Sequence, residues 1–286
     1  VSPVITVGQA RFTVIAPECI RLEYSAKGKF ENEPSLFAVN RAAGETKFKL
    51  QRTDKIVTIE TPRMKLTYTP DGKPFSPQNL EIVVQKGNST IRWTPGMKNV
   101  QNLGGTIPTL DSVEKPVDLG EGLLSRDGWY LLDDSSGHLL TGGWVKERPK
   151  DSGFDAYFFA YGTDYKSALK ALTKISGEVP LPRKYVLGAW YSRYWPYSSE
   201  DYEKIVQEYS IHDFPLDVIV MDMDWHKDGW TGWSWNKKLI THPEKLLRSF
   251  HNQGLYVTLN VHPADGVAKH EDMYAPFMKA MGKDPA

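Results

Sequence analysis

The sequence predicts an α/β molecule with an all-β front: an antiparallel β-sandwich, then the first three βα units of a (β/α)8 TIM barrel. Three observations lead there. Short runs alternating apolar and polar residues fill the chain to about residue 162, the period of half-buried strands. One amphipathic helical stripe and a proline pair come next. Beyond Arg183, apolar strand-like runs alternate with helical ones, the order that builds a parallel sheet.

Ile20, Leu22 and Tyr24 alternate with Arg21 and Glu23, and Met64, Leu66 and Tyr68 repeat the pattern before the turn pair Asp71-Gly72. Further strands are expected over 80–85, 128–133, 138–145 and 154–161. Tyr165, Ala168, Leu169, Leu172 and Ile175 share one face of a helix over 163–176, with Gly177 at its stop. Pro180 and Pro182 mark a stiff junction, so the domains divide as 1–178 and 179–286. In the second domain, strands are expected over 186–190, 217–221 and 255–261. Ser198 caps one helix with Asp201 three residues on, and Pro243 opens another that closes at Gly254. A last helix is expected over 271–281, with Pro276 inside it. Periodicity alone leaves an open doubly wound sheet or a barrel. No glycine-rich phosphate loop follows the first strand, which disfavours a nucleotide-binding sheet. A full barrel takes about 250 residues, so a barrel here would be three strands of eight.

Composition narrows the function classes. Thirty-five basic and thirty-five acidic residues cancel, which gives no electrostatic reason to expect a nucleic-acid or membrane partner. No apolar run approaches the ~18 residues of a membrane span. Cys19 is the single cysteine, so no intrachain disulfide forms and a thiol metal cluster is excluded. Val1 opens the chain without a methionine or a leader-like segment, and periplasmic, secreted and cytoplasmic residence all stay open. Of nine tryptophans, six fall between Trp190 and Trp235, which concentrates attention on that stretch.

Barrel enzymes carry their chemistry at the C-terminal ends of the strands. Those ends read Tyr191-Ser192-Arg193-Tyr194-Trp195, Asp222-Met223-Asp224-Trp225-His226 and Asn260-Val261-His262-Pro263-Ala264-Asp265-Gly266. Asp222 and Asp224 lean to one side of a strand end and could be the acid and nucleophile of a retaining glycosidase, whose carboxyls sit about 5–5.5 Å apart. Equally, one of them could order a turn or pair with Arg193. Asp222, Asp224, His226 and His262 are also types that ligate divalent ions, but the close helical histidine spacing of a zinc site is missing. Trp230, Trp233 and Trp235 crowd one loop. Their indoles suit pyranose faces, and they suit equally a lid packed on itself.

Several ordered motifs resemble glycoside hydrolase family 31: Phe158-Phe159-Ala160-Tyr161-Gly162 with Asp164-Tyr165, Pro180-Leu181-Pro182, the run Gly188 to Trp195, and Asp217 to Trp225 with its Asp-Met-Asp-Trp core. Leu123 to Trp129 followed by Asp133-Asp134 resembles that family's N-terminal active-site loop, and Phe12 to Ser25 its opening strands. The resemblance implies a β-sandwich followed by a barrel. It implies a retaining hydrolase of terminal α-linked sugars, α-glucosides or α-xylosides, needing no metal or cofactor. It implies that Asp222 grips sugar hydroxyls in the −1 subsite and that Met223 lines that pocket. Asp127 would reach toward it from the sandwich, with Tyr194 an aromatic wall. Trp195 and Trp225 join them as substrate-binding candidates, as does His262, at a position where many members carry aspartate. The nucleophile and the acid/base are expected beyond Ala286, so the chain alone would be inactive. The strands that complete the barrel would come from the rest of the same protein, or through association with a second polypeptide. The competing classes are a non-catalytic carbohydrate-binding protein and a metal-dependent barrel hydrolase.

Overall fold

The computed structural model describes residues 3–41, 46–229 and 232–285. The chain divides into two compact units, Val1–Val179 and Pro180–Ala286.

The first unit is built on two antiparallel five-stranded sheets. One holds β1 (Val4–Val7), β2 (Ala10–Ala16), β3 (Cys19–Tyr24), β9 (Trp129–Asp133) and β12 (Phe154–Ala160), in the order β1-β2-β3-β12-β9. The other runs in sequence through β4 (Lys49–Arg52), β5 (Val57–Glu60), β6 (Met64–Tyr68), β7 (Leu80–Lys86) and β8 (Ser89–Trp93). Period-2 alternation turns one apolar face of each sheet toward the other. Phe12, Leu22 and Phe158 meet Ile59, Leu66, Ile82 and Trp93 in one buried cluster. The first sheet is apolar on its outer face too. There Cys19, Tyr157 and Phe159 pack beneath Ala168, Ala171 and Ile175 of helix α1 (Tyr165–Ser176), which Asp164 caps.

Two expectations for this unit need correction. Residues 138–145 form not one strand but a hairpin, β10 (Leu139–Thr141) and β11 (Trp144–Lys146). Gly142 and Gly143 take φ of +60° and +78°, the left-handed pair that a tight hairpin turn requires. Nor is β3 half-buried. Arg21 and Glu23 are as enclosed as the apolar residues between them, and both have oppositely charged partners. Arg21 grips Asp155 with two hydrogen bonds of 2.8 and 2.9 Å, and Arg11 grips Glu23 with bonds of 2.6 and 2.7 Å. Arg41 and Arg148 bridge Asp155 to Asp134.

The second unit carries a parallel sheet in the order β13-β14-β15: β13 (Trp190–Tyr191), β14 (Val218–Met221) and β15 (Tyr256–Leu259). Helix α2 (Ser199–Ile211) links the first two strands and α3 (Pro243–Asn252) the last two. Ile219 and Met221 pack against Tyr202 and Val206 of α2 and against Leu246 and Phe250 of α3. A fourth helix, α4 (Tyr274–Ala280), is shorter than expected. Its Pro276 is the third helical residue, where the missing N–H has no intrahelical partner to lose.

The first parallel strand also differs from expectation. Residues 184–187 form a 3-10 turn, with Leu187 78% exposed, and sheet pairing starts only at Trp190. The Asp217 carboxylate explains the delay: it accepts the Ala189 N–H at 2.8 Å and lies where a Cβ on residue 188 would stand, 2.2 Å from Asp217 Oδ2. Only glycine fits that approach.

Candidate active site

Parallel register decides which residues meet at the C-terminal end of the sheet. The last ladder partners of β14 and β15 are Met221 and Leu259, so Asp222 and Asn260 leave the sheet side by side. Asn260 Nδ2 donates to Asp222 Oδ1 at 2.5 Å. The Asn260 N–H donates to Met221 O at 3.0 Å, and its carbonyl accepts the Trp225 indole N–H at 3.0 Å. Asp222 and Asn260 are both half-buried.

The chain then bends sharply. Asp224 takes φ of +62°, a left-handed conformation that a non-glycine residue adopts at some cost, and Asn236 holds the bend. Asn236 Nδ2 donates to Asp224 O at 3.0 Å, and the Asn236 N–H donates to Trp225 O at 2.7 Å. The bend drives Met223 and Trp225 inward, to 5% and 4% exposure. Beneath them burial pushes the Tyr202 phenol up, and Tyr191, Tyr197, Asp222 and Asp224 add to it. Burial and a 2.7 Å hydrogen bond with Tyr197 push Tyr191 up to about 12. The sheet end therefore sets the Asp222 carboxyl group against an apolar, aromatic floor.

With that geometry in view, comparison with known proteins is informative. Residues 179–285 match the family model described as "Glycosyl hydrolases family 31 TIM-barrel domain". An α-xylosidase of Saccharolobus solfataricus is 28% identical over 111 residues, 38% of this chain and 15% of that protein. The α-xylosidase XylQ of Lactiplantibacillus pentosus is 31% identical over 110 residues, 37% of this chain and 14% of its own length. Residues 179–285 are thus similar to the barrel domain of glycoside hydrolase family 31. A crystal structure of a family 31 α-xylosidase from a soil metagenome, complexed with xylose, superposes over 98% of this chain and 48% of its own, with a TM-score of 0.65 and 13% identity. That likeness speaks for the fold, a β-rich N-terminal domain followed by the start of a TIM barrel. The chain spans less than half of the solved relative and about a seventh of the two α-xylosidase sequences.

Three of the remaining candidates follow the ends of the parallel strands, and one lies in the first unit. Tyr194 and Trp195 follow β13 and are 61% and 53% exposed, with the Arg193 guanidinium 5.0 Å over the Trp195 ring. His262, half-buried, stands two residues past Asn260 at the start of a 3-10 turn. Asp127 lies in the first unit, where it orders its own loop: its carboxylate accepts the Gln101 N–H and its N–H donates to Ser125 Oγ, both at 3.0 Å. Among the described residues, no three His, Cys, Asp or Glu side chains group as metal ligands.

The aromatic loop is tied down. Trp235 packs edge-on against Trp225 at 5.1 Å, and the Trp233 indole N–H donates to Gly266 O at 2.8 Å. Lys227 reaches Asp272 at 2.6 Å, and the Asp272 N–H donates to Ser234 Oγ at 2.6 Å. Trp230 and Thr231 lie outside the described residues. Asp224, His226, Trp235, Asn236 and Asp272 line a cavity of 850 Å³ beside the loop, and Asp222 does not reach it. Two features here went unassigned in the sequence: Asn260 as the partner of Asp222, and Tyr202 beneath it. Aligning the two strand ends would have exposed the first.

Proposed function

We propose that the full-length protein is a retaining α-glycosidase that removes terminal α-linked sugars, with α-xylosides and α-glucosides the leading substrates. The observation that carries the reading is Asp222, at the C-terminal end of a parallel strand within the family 31 segment, one oxygen held by Asn260 and the floor beneath it apolar. A carboxylate so placed can accept hydroxyls of a pyranose by charge-assisted bonds, the strong and directional kind. The relatives' names support both sugars, two being α-xylosidases and others α-glucosidases.

In this reading Asp222 holds the sugar in the −1 subsite, and Met223 and Trp225 shape the wall behind it. Tyr194, Trp195 and His262 offer aromatic and polar contacts nearer solvent. The sandwich ends near residue 178, and β13 to β15 with their helices are the first three of eight βα units. Double displacement on an α-glycoside needs one carboxylate to attack the anomeric carbon and another to protonate the leaving oxygen and then deprotonate water. The reading assigns neither role to a residue of this chain.

The test is a panel of nitrophenyl α-glycosides with the full-length protein. Nitrophenol release from the α-xyloside or α-glucoside, with the first-formed sugar still α by NMR, is the expected outcome. Asp222→Ala raises KM and lowers kcat, with a fall in kcat/KM of about 10- to 150-fold, the worth of a hydrogen bond to a charged group. Unchanged kinetics in that variant would remove Asp222 from the site. Sugar binding without turnover would move the protein to the non-catalytic class.

A further inference from the structure

Asp222 is the first residue beyond β14, past the last rung of the ladder to β15. The sheet's own hydrogen bonds do not fix its side chain, and a carboxylate free to turn would spread its lone pairs over many directions. Asn260 supplies the missing constraint. Its backbone is pinned at two points, by Met221 O and by the indole N–H of the buried Trp225. From that fixed base its amide reaches one carboxylate oxygen, Asp222 Oδ1. The amide presents its NH2 to that oxygen, which accepts. Among the described residues no other side chain hydrogen-bonds Asp222, and none of them takes up Oδ2.

We propose that Asn260 is a positioning residue, which locks the Asp222 carboxylate so that Oδ2 faces the sugar and which acts on the substrate through Asp222. The inference rests on the glycosidase reading and adds the element that orients its principal binding group. Trp225 is the anchor of the arrangement: its indole N–H ties the loop after β14 to the end of β15.

The decisive experiment is a double-mutant cycle in the full-length protein, with Asn260→Ala, Asp222→Ala and the double variant assayed on the nitrophenyl α-glycoside that the wild type turns over fastest. Asn260→Ala alone is expected to lower kcat/KM about tenfold, the loss of a charge-assisted bond. In the Asp222→Ala background the same change should cost less than about twofold, because a residue that acts through Asp222 has nothing left to orient. Asn260→Asp, nearly the same shape, sets two carboxylates side by side, so kcat/KM should fall at neutral pH and recover on acidification as the pair takes up one proton. Losses that multiply in the double variant, or a pH profile unmoved in Asn260→Asp, would overturn the proposal. Should Asn260→Ala not fold, the near-isosteric Asn260→Asp decides alone. Should the wild type turn over no α-glycoside, the glycosidase reading falls. The same four proteins titrated calorimetrically with xylose and with glucose then judge Asn260 separately, and failure of both sugars to bind the wild type overturns it as well.

Discussion

Asp155 gathers three guanidiniums, from Arg21, Arg41 and Arg148, around one buried carboxylate. Burial alone would raise its pKa, but the hydrogen bonds and charges of Arg21 and Arg41 outweigh it and hold the group at about 2. The group ionises near 3.9 in an unfolded chain. Its contribution to stability is therefore complete above about pH 4 and is lost as pH falls through about 2. Glu23 and Asp134 act in the opposite sense. Burial lifts both, so their ionisation costs the fold stability at neutral pH, and acid relieves that cost. Asp155→Asn keeps the shape and removes the charge, so that three buried guanidiniums lose one carboxylate and share only Glu23 and Asp134. The expected loss is about 3–5 kcal/mol at pH 7 in denaturant titrations. The variant should also lack the stability loss that the wild type shows between about pH 4 and 2. This network was half legible. Alternation in β3 correctly separated Ile20, Leu22 and Tyr24 from Arg21 and Glu23, but alternation names faces without saying which of them will be covered. The cover comes from Asp155, 134 residues away in the chain from Arg21.

Among the elements, those set by neighbours in sequence were the readable ones. Helix α2 begins where Ser198 and Asp201 form a reciprocal capping box, the Asp201 N–H donating to Ser198 Oγ at 3.1 Å and the Ser198 N–H to Asp201 Oδ2 at 2.9 Å. Ser198→Ala should cost about 1 kcal/mol, seen as a lower Tm and faster amide exchange in the first turn of α2. The start of β13 was misplaced because its control is remote: the Asp217 side chain, on the approach to β14, takes the N–H of Ala189. The meeting of Asp222 with Asn260 was obscured for a related reason. Each strand end was visible singly, but their alignment depends on the register Met221↔Leu259, a property of the pair. Trp225 shows the converse. An aromatic residue beside an aspartate at a strand end suggests a ligand contact, yet the left-handed bend at Asp224 turns it into the core, where its N–H serves Asn260.

At the scale of the whole molecule, the two units are separately cored. The two apolar clusters of the first draw on residues 5 to 175, and that of the second on residues 191 to 261. Residues 178–184 between them are exposed, with Val179 at 84% and Leu181 at 95%. Brief trypsin treatment is therefore expected to cut after Arg183 and to leave a fragment that resists further digestion. Its near-ultraviolet circular dichroism should keep the signal of the Trp93–Trp129–Phe158 cluster. Rapid loss of that fragment would mean that the first unit leans on the second. The order of sandwich and parallel sheet was readable because the apolar period itself changes near the proline pair. The strand order β1-β2-β3-β12-β9 was not, since β12 enters the sheet from more than a hundred residues downstream of β3.

Cys19, sealed between the first sheet and α1, has a practical corollary for the bench. Burial pushes its thiol far up the ionisation scale, and only a thiolate alkylates readily. Maleimide dyes and spin labels should pass it by in the folded protein. A cysteine installed at an open position, such as Trp144→Cys on the β10–β11 hairpin, would then be the one that couples, with no need to remove the native thiol first.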